Sequence, residues 1–279
     1  MNKFLSMSMC AALAFSIVAC SDDNEPNDPN AGNVFPEGIP TVAEGYKITV
    51  NEEGKVTSLK DDYEEITFEY GNFTRANTFQ VKMTINVKDY PSEGSVIYVQ
   101  TNANGFATYA FQEYRDGDTD RWWFGYNGAG QLNMLKRTDG DDEIGAEVTE
   151  ATYNGGDIVA TKWYEVNAAG AVINQDDIEY CDFGYTNSNV KTPIANKGAI
   201  MLFDEVFGID MDEMGPAYYA GLLGRATSNL PVKRAYRDSS DDEFYTFKWE
   251  LNEKGLPVSL TTTEHYNSSS YDYTTIFKW

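Results

Sequence analysis

The feature that most constrains the fold of this chain is a nine-residue pattern that recurs five times. Each copy holds an asparagine and, three positions later, a glycine, with alternating and mostly apolar residues on both sides. The pairs are Asn51 and Gly54, Asn102 and Gly105, Asn127 and Gly130, Asn167 and Gly170, and Asn252 and Gly255. An asparagine side chain bonds to the backbone two residues on and starts a turn. The glycine adopts the left-handed conformation that leads into a second strand. The pattern therefore predicts at least five β-hairpins.

The segments between these turns have the alternation of β-strands. Residues 79–87 read Phe-Gln-Val-Lys-Met-Thr-Ile-Asn-Val, and residues 245–249 read Tyr-Thr-Phe-Lys-Trp. Such alternation indicates strands with one buried face. Many strands joined by polar turns predict an all-β fold. We expect an antiparallel meander of repeated hairpins that curls into an open or barrel-like roll, in a single domain over residues 41–279.

One segment, near residues 198–226, interrupts the strand pattern. Its first half has apolar residues at helical spacing from Met201 to Phe207, and Gly215-Pro216 then breaks the run. Its second half repeats the spacing from Tyr218 to Leu223, and Gly224 can end a helix there. The segment predicts two short helices that cover an open face or mouth of the sheet.

Residues 1–19 have the features of a lipoprotein signal peptide. Lys3 supplies a positive charge, and the apolar run from Phe4 to Ala19 is too short to span a bilayer comfortably. Cys20 follows, and its thiol is expected to carry the lipid at the new N-terminus. We expect residues 20–40 to form an acidic, disordered tether. It begins with a tag of Ser21, Asp22, Asp23, Asn24 and Glu25.

The turn pattern resembles the Tyr-Asp repeats of the Rhs type, in which aspartate stands where this chain has asparagine. The whole layout is similar to a Bacteroidota family of surface lipoproteins that carry a domain of unknown function. The similarity covers Cys20, the hairpins, and a late insert that reads Gly-Leu-Leu-Gly-Arg-Ala-Thr-Ser-Asn-Leu-Pro at residues 221–231. It implies a β fold over residues 41–279 and brings no catalytic residues. The tag resembles the signal that exports lipoproteins of this phylum, which implies an outer-membrane lipid anchor and a domain facing the cell exterior.

The charge of the chain disfavours one class of partner. The formal net charge is -23, and loss of Lys3 with the signal leaves 20 basic against 44 acidic residues, or -24. Such a field repels phosphate backbones, so we expect no nucleic-acid binding. The expected partners, besides the outer membrane, are a polysaccharide or another surface protein.

Two pairs of adjacent aromatic residues are candidate ligand-binding positions. They are Trp122 with Trp123, and Trp163 with Tyr164. Because neighbouring strand residues point to opposite faces, one of Trp122 and Trp123 faces the core and the other faces outward or under the helices. Trp163 and Tyr164 pose the same question. An exposed ring can stack on the apolar face of a sugar. The alternative for each ring is simple core packing.

Residues for catalysis or for a cofactor are scarce. The single histidine, His265, lies at a polar hairpin end without the defined partners of a catalytic relay or metal site. Cys181 is left without a disulfide partner, and its aromatic neighbours favour a small core residue. We expect no cofactor and no catalytic residues.

A weak calcium site is the one metal hypothesis that the sequence offers. Asp116, Asp118 and Asp120 alternate as at the start of a calcium-binding loop. The continuation lacks the glycine and distant glutamate of that loop, which favours a hairpin turn instead.

Together these features favour a non-catalytic cell-surface module that binds a glycan or a protein. One alternative is a surface carbohydrate-active enzyme resembling a glycoside hydrolase, since acidic residues are abundant. The other is a structural or adhesion component of the outer surface.

Overall fold

The computed structural model of the protein describes residues 34–73, 78–140, 145–237, 243–267 and 269–279. The predicted signal peptide, Cys20 and the tag at residues 21–25 lie outside the described residues. The described residues belong to one compact unit, Gly32–Trp279.

Eighteen strands follow one another along the described chain. They are β1 Val42–Ala43, β2 Tyr46–Val50, β3 Val56–Lys60, β4 Glu64–Phe73, β5 Phe79–Val87, β6 Ser95–Thr101, β7 Ala107–Tyr114, β8 Thr119–Tyr126, β9 Leu132–Asp139, β10 Ala146–Asn154, β11 Asp157–Val166, β12 Glu179–Gly184, β13 Ile194–Ala195, β14 Asn229–Leu230, β15 Lys233–Tyr236, β16 Phe244–Leu251, β17 Pro257–Tyr266 and β18 Ser269–Ile276. Three short 3-10 helices span Pro91–Glu93, Gln175–Asp177 and Asp212–Tyr218. The predicted all-β class is confirmed.

Sixteen of these strands form one antiparallel sheet in chain order, in which β12 pairs with β15. The small strands β13 and β14 pair only with each other within the described residues. The sheet curls until its last residues meet its first strand. Lys278 N donates to Val42 O at 3.0 Å, and Thr41 N donates to Lys278 O at 2.6 Å. The predicted antiparallel meander is therefore a nearly closed barrel.

Alternating side chains give the barrel an apolar interior and a mostly polar outer face. In β5, Val81, Met83 and Ile85 are at most 3% exposed and belong to the core. Lys82 and Thr84 point the other way, because successive strand residues alternate between faces. A single large cluster of buried side chains runs through the interior.

The five Asn-x-x-Gly turns share one hydrogen-bond pattern. At Asn127, the side-chain oxygen accepts from Ala129 N at 2.9 Å and from Gln131 N at 3.0 Å. Gly130 N donates to Asn127 O at 2.9 Å, and Gly130 has a φ of +76°. The same bonds recur at Asn51, Asn102, Asn167 and Asn252. Local chemistry thus fixes these turns, as the pattern predicts.

Four of the five turns lie at one end of the barrel, which we call the turn end. They are the turns that begin at Asn51, Asn102, Asn127 and Asn252, each joining two sheet strands. The turn at Asn167 follows β11 at the opposite end and closes on a single bridge between Val166 and Val172. We call that opposite end the mouth.

The insert is present, but it does not form the two predicted helices. Within the described chain, residues 196–228 hold one 3-10 helix, Asp212–Tyr218, and turns. Left-handed backbone at Gly208 and Gly221 ends each short helical turn, and Pro216 lies within the 3-10 helix. Most apolar side chains from Ala199 to Leu223 are buried, whatever their spacing, so the spacing does not define one buried helix face.

The insert, which we call the plug, lies inside the barrel. At the turn end, Arg225 N donates to Gly130 O at 2.8 Å. At the mouth, Asp212 pairs with Arg137 of β9 at 2.9 Å. On the opposite wall, Glu205 accepts from hydroxyl groups of β17 and β18. The segment that was predicted to cover an open face or mouth of the sheet therefore fills the interior of the barrel instead.

The folded domain starts earlier than the predicted boundary at residue 41. Val34 and Phe35 are each 5% exposed, and the Phe35 ring lies 5.3 Å from that of Tyr218 in the plug. The packed domain extends at least to Val34, because these two apolar side chains belong to its core. Residues 34–40 of the predicted tether therefore belong to the folded domain, and residues 20–33 lie outside the described residues.

We predict that Gly130→Ala destabilises the domain more than Gly170→Ala. Both glycines are left-handed, at φ +76° and +78°, so each alanine costs about 1–2 kcal/mol of backbone strain. A Cβ at Gly130 would also lie 2.9 Å from the ring of buried Phe106, whereas one at Gly170 has open space. Overpacking adds about 1–3 kcal/mol. Urea unfolding of both variants measures the difference, and equal losses would contradict it.

Candidate functional site

The mouth of the barrel is the concave region with the richest chemistry. The inner face of the last strands continues there past the packed core. By register, Trp163 of β11, Tyr236 of β15 and Tyr245 of β16 share the inner face with core residues of the same strands. At the mouth, the inner face of these strands therefore exposes aromatic side chains, whereas further inside the barrel the same face belongs to the core.

An open pocket of about 770 Å³ lies against this wall, and we call it the aromatic pocket. Three aromatic residues line it, Trp163, Tyr180 and Tyr236. The rings of Trp163 and Tyr236 are on the inner face, whereas the ring of Tyr180 is on the outer face of β12, with the Arg237 guanidinium 5.0 Å from its centre. Its other lining residues are mostly acidic: Glu165, Asp176, Asp177, Ile178, Glu179 and Glu243. The pocket thus combines flat apolar surfaces with hydrogen-bond acceptors.

A network of carboxylates around Arg137 borders the mouth where the plug ends. The guanidinium lies 3.0 Å from Asp139, 2.9 Å from Asp212, 3.8 Å from Asp210 and 3.9 Å from Asp120. Burial opposes the charged form of Arg137, but these carboxylates raise its pKa. Arg137 therefore ties the tip of the plug to β8 and β9.

Two carboxyl groups near this network have a strongly raised pKa. Burial, reinforced by Asp212, raises the pKa of Glu213 to about 7. The pKa of Glu44 is also raised to about 7 by desolvation of its carboxylate, against a hydrogen bond from Tyr219 that lowers it. Although much of residue Glu44 is exposed in its turn, its carboxylate points inward to the buried Tyr219 hydroxyl.

A second cleft, of about 360 Å³, lies beside Glu44. Its lining includes Tyr46 and Tyr219 and the acidic residues Asp204, Asp210 and Asp212. Burial raises the pKa of Asp204. The cleft is smaller than the aromatic pocket, has four acidic lining residues against five, and has no tryptophan in its lining.

The four predicted aromatic residues are divided between the two faces. Trp122 is fully buried on the inner face, so it is not available to a ligand, and its candidate role is withdrawn. Trp123 is on the outer face, where Lys136 Nζ lies 4.7 Å from its ring centre. Tyr164 is also on the outer face, with Lys162 Nζ at 4.1 Å. Trp163 alone lines the aromatic pocket among these four residues.

The three aspartates of the calcium hypothesis do not converge. Asp120 points inward and is 6% exposed, and the Tyr114 hydroxyl donates to it at 2.9 Å. Asp116 accepts from Asp118 N at 3.1 Å within the turn. The described residues contain no group of three or more His, Cys, Asp or Glu side chains that could hold a metal ion.

The single histidine and the described cysteine occupy structural positions. The His265 ring stacks on Phe244 with centres 4.2 Å apart, and its Nε2 lies 3.2 Å from Thr246 Oγ1. Cys181 is buried, and burial raises the pKa of its thiol to about 11. The thiol is therefore protonated near neutral pH, and a protonated thiol is a poor nucleophile.

Sequence reasoning did not find Tyr180, Tyr236 and Glu243. Tyr236 reaches the pocket because β12 pairs with β15, more than 50 residues further along the chain, after the plug. No local pattern reports that pairing. The adjacent rings Trp163 and Tyr164 were the signal that led to this wall.

A protein-family model matches residues 47–259, and its description is a domain of unknown function (DUF4595) with porin-like fold. The matched range covers more than half of the chain. The chain belongs to the DUF4595 family. The expected domain of unknown function is thereby confirmed, while the relation to Tyr-Asp repeats stays a prediction.

Two solved structures share the fold of this DUF4595 domain. A porin-like protein from Bacteroides uniformis is 20% identical with a TM-score of 0.59, over 84% of this chain and 87% of that protein. A porin-like protein from Bacteroides vulgatus is 12% identical with a TM-score of 0.54, over 84% and 91%. At these identities the similarity concerns the fold alone. No curated protein matches the chain.

None of the helices in the described ranges is long and apolar enough to cross a membrane.

We predict that the free energy of unfolding falls as the pH rises from about 5 to about 7.5. Glu213 and Glu44 titrate near 4.5 when unfolded and near 7 when folded. Between these values the folded state binds more protons, so raising the pH favours unfolding. Glu213→Gln removes one of the two groups and flattens the dependence. Urea unfolding across this range measures it.

The control for this prediction is Glu52→Gln, in an exposed part of the first turn. This variant keeps the pH dependence of the parent protein. If Glu213→Gln and Glu52→Gln gave the same pH profile, Glu213 would not be the titrating group.

Proposed function

We propose that this domain is a non-catalytic, cell-surface glycan-binding module whose ligand occupies the aromatic pocket. The observation that carries the proposal is an open pocket of about 770 Å³ that combines two inner-face rings, those of Trp163 and Tyr236, with five acidic lining residues. Pockets of this size suit ligands of a few sugar units. The planar rings can cover the apolar faces of pyranoses, and the carboxylates can accept hydrogen bonds from sugar hydroxyls.

The placement of the titrating carboxyls supports binding rather than hydrolysis. Glycoside hydrolysis needs two carboxyl groups beside the sugar bond, one of them with a raised pKa. The two groups with pKa values of about 7, Glu44 and Glu213, do not line the aromatic pocket. The position of Glu44 and Glu213 outside the aromatic pocket favours recognition of a sugar there over its hydrolysis.

The location in this proposal is the exterior of the outer membrane, with lipid on Cys20 and export by the tag at residues 21–25. The polar outer face of strands such as β5, with Lys82 and Thr84, supports a wall in contact with water. Barrels that cross membranes place apolar residues outward instead. We also interpret the Asn-x-x-Gly hairpins as a short relative of Tyr-Asp repeats, since all five share one turn geometry.

The point at which the chain enters the domain is compatible with a tether that leaves the aromatic pocket accessible. Val34 and Phe35 line a cleft together with Gly54 and Lys55 of the first Asn-x-x-Gly turn. The described chain therefore enters the domain at the turn end. A tether attached there leaves the mouth, with its aromatic pocket, at the far end of the barrel.

A second platform on the outer face is a specific alternative for the same function. The Trp123 ring lies 5.5 Å from that of Tyr109, which lies 6.2 Å from Phe79. Phe79 in turn lies 5.8 Å from Tyr98. Phe79 is itself buried, at 5% exposure, so the rings of this row that can stack on an extended polysaccharide are those of Tyr98, Tyr109 and Trp123. The two platforms are separable by mutation.

We predict that Trp163→Ala weakens glycan binding at least ten-fold, about 1.4 kcal/mol, because it removes the largest stacking surface of the pocket. The matched control, Trp123→Ala, removes an equal ring from the outer face and leaves the affinity within two-fold. A thermal-shift screen of the full chain against polysaccharides selects the ligand, since a ligand at 100 times its Kd adds about 2.7 kcal/mol of stability. Isothermal titration then compares the variants.

The reverse ranking, with loss in Trp123→Ala alone, would move the site to the outer row of rings. No response to any polysaccharide in a broad panel would overturn the glycan proposal altogether.

A further inference from the structure

At the mouth, the last strand, β18, extends well beyond the first hairpin, which is formed by β1 and β2. The antiparallel bridge between Val42 and Lys278 places the turn at Glu44 level with Ile276, by counting along both strands. β18 continues beyond that level over residues 269–275. At about 3.3 Å per residue, it rises roughly 20 Å above the first hairpin. In the described ranges, this stretch pairs with β17 on one side and with no strand on the other.

The backbone groups of β18 alternate between its paired side and its open side. Phe277 N donates to Val258 O of β17 at 3.0 Å, so odd-numbered residues face β17. Lys278 N donates to Val42 O, so even-numbered residues face the other way. In an antiparallel strand this alternation persists along the chain. The N–H and C=O groups that point to the open side are therefore those of Ser270, Asp272 and Thr274.

The open edge lacks lysine, proline and bulges, which commonly protect an edge strand, and Asp272 is its one charged residue. Residues 269–276 read Ser-Ser-Tyr-Asp-Tyr-Thr-Thr-Ile, without lysine or proline. Their register with β17 is continuous and has no bulge. Natural edges are commonly blocked by these residues or by bulges. Tyr271 and Tyr273, at 64% and 43% exposure, leave the strand open to a partner.

The surroundings of the edge are acidic and aromatic. Asp272 lies on the outer face, and Glu264 lies opposite Tyr271 on the inner face. Lower on the inner face, Thr275 donates to Glu205 at 2.8 Å. An added strand would lie directly beside Asp272 and both tyrosines of β18, with Glu264 one strand further away on β17. Cationic side chains complement that setting through ion pairing and cation–π contacts.

We infer that the free edge of β18 is a strand-addition site for an extended, lysine- or arginine-rich segment of a partner protein. Main-chain hydrogen bonds to Ser270, Asp272 and Thr274 give the affinity, and the neighbouring acids and rings select the basic side chains. A second copy of this chain fits the edge poorly, because two strongly acidic barrels would meet with their Asp272 side chains close together. The site is separate from the aromatic pocket, so it does not rest on glycan binding.

The test uses the full chain and the blocked peptide acetyl-(Lys-Thr)4-amide. Fluorescence anisotropy measures binding, and amide hydrogen exchange measures which backbone groups the peptide protects. We expect slower exchange at Ser270, Asp272 and Thr274 when the peptide binds. The same peptide with alternate amide nitrogens methylated, and acetyl-(Glu-Thr)4-amide, should each bind at least ten-fold more weakly.

Thr274→Pro removes one N–H on the open side and is expected to weaken binding at least ten-fold. Proline is tolerated at such edge positions, so its melting temperature should stay close to that of the matched control Thr274→Val. The control keeps the N–H and should bind within two-fold of the parent chain. Absence of binding, absence of protection at these three amides, or equal binding of the methylated or glutamate peptide would overturn the inference. The exchange measurement on the parent chain needs no variant, so it tests peptide binding at the edge of β18 even if Thr274→Pro unfolds.

Discussion

The burial of the plug inside the barrel is the contact on which the rest of the structure depends. The wall alone would enclose a large apolar cavity, because the strands turn residues such as Leu59, Met83 and Ile97 inward. The plug supplies the matching surface with side chains such as Phe203, Tyr218 and Leu223. Removing apolar surface of this extent from water is the dominant favourable term in folding. Polar contacts then fix the plug in place, chiefly Arg137 to Asp212 at the mouth.

The length of the plug also decides where function can lie. Its tip reaches the mouth at residues 210–213, and the inner faces of β11 to β18 continue beyond it. The inner-face positions there can no longer be core, and they carry Trp163, Tyr236 and carboxylates in place of aliphatic residues. The same geometry leaves β18 taller than the first hairpin. The aromatic pocket and the open edge of β18 thus both lie at the mouth, where the strands extend further than the plug.

How far the sequence predicts this molecule depends on the range of each interaction. The turn at Asn127 and Gly130 is set by bonds within five residues, so its pattern predicts it directly. The alternation in β5 likewise reports one buried face. The plug was mispredicted because its apolar residues meet a wall from distant strands, which removes any single helical face. Tyr236 was missed for the same reason, since its place in the pocket depends on β12 pairing with β15 across the plug.

The pH dependence of the domain connects the plug to these surfaces. Glu213 and Glu44 are held among protein groups that favour their protonated forms, and both lie where the plug meets the rim. We expect their ionisation to act at the mouth, where both groups lie, and not at the Asn-x-x-Gly turns of the other end. The turn end, where the chain enters, is therefore the end stabilised by local, pH-independent bonds. The two carboxyl groups whose raised pKa makes stability depend on pH thus lie at the mouth, at the end opposite the locally bonded turns.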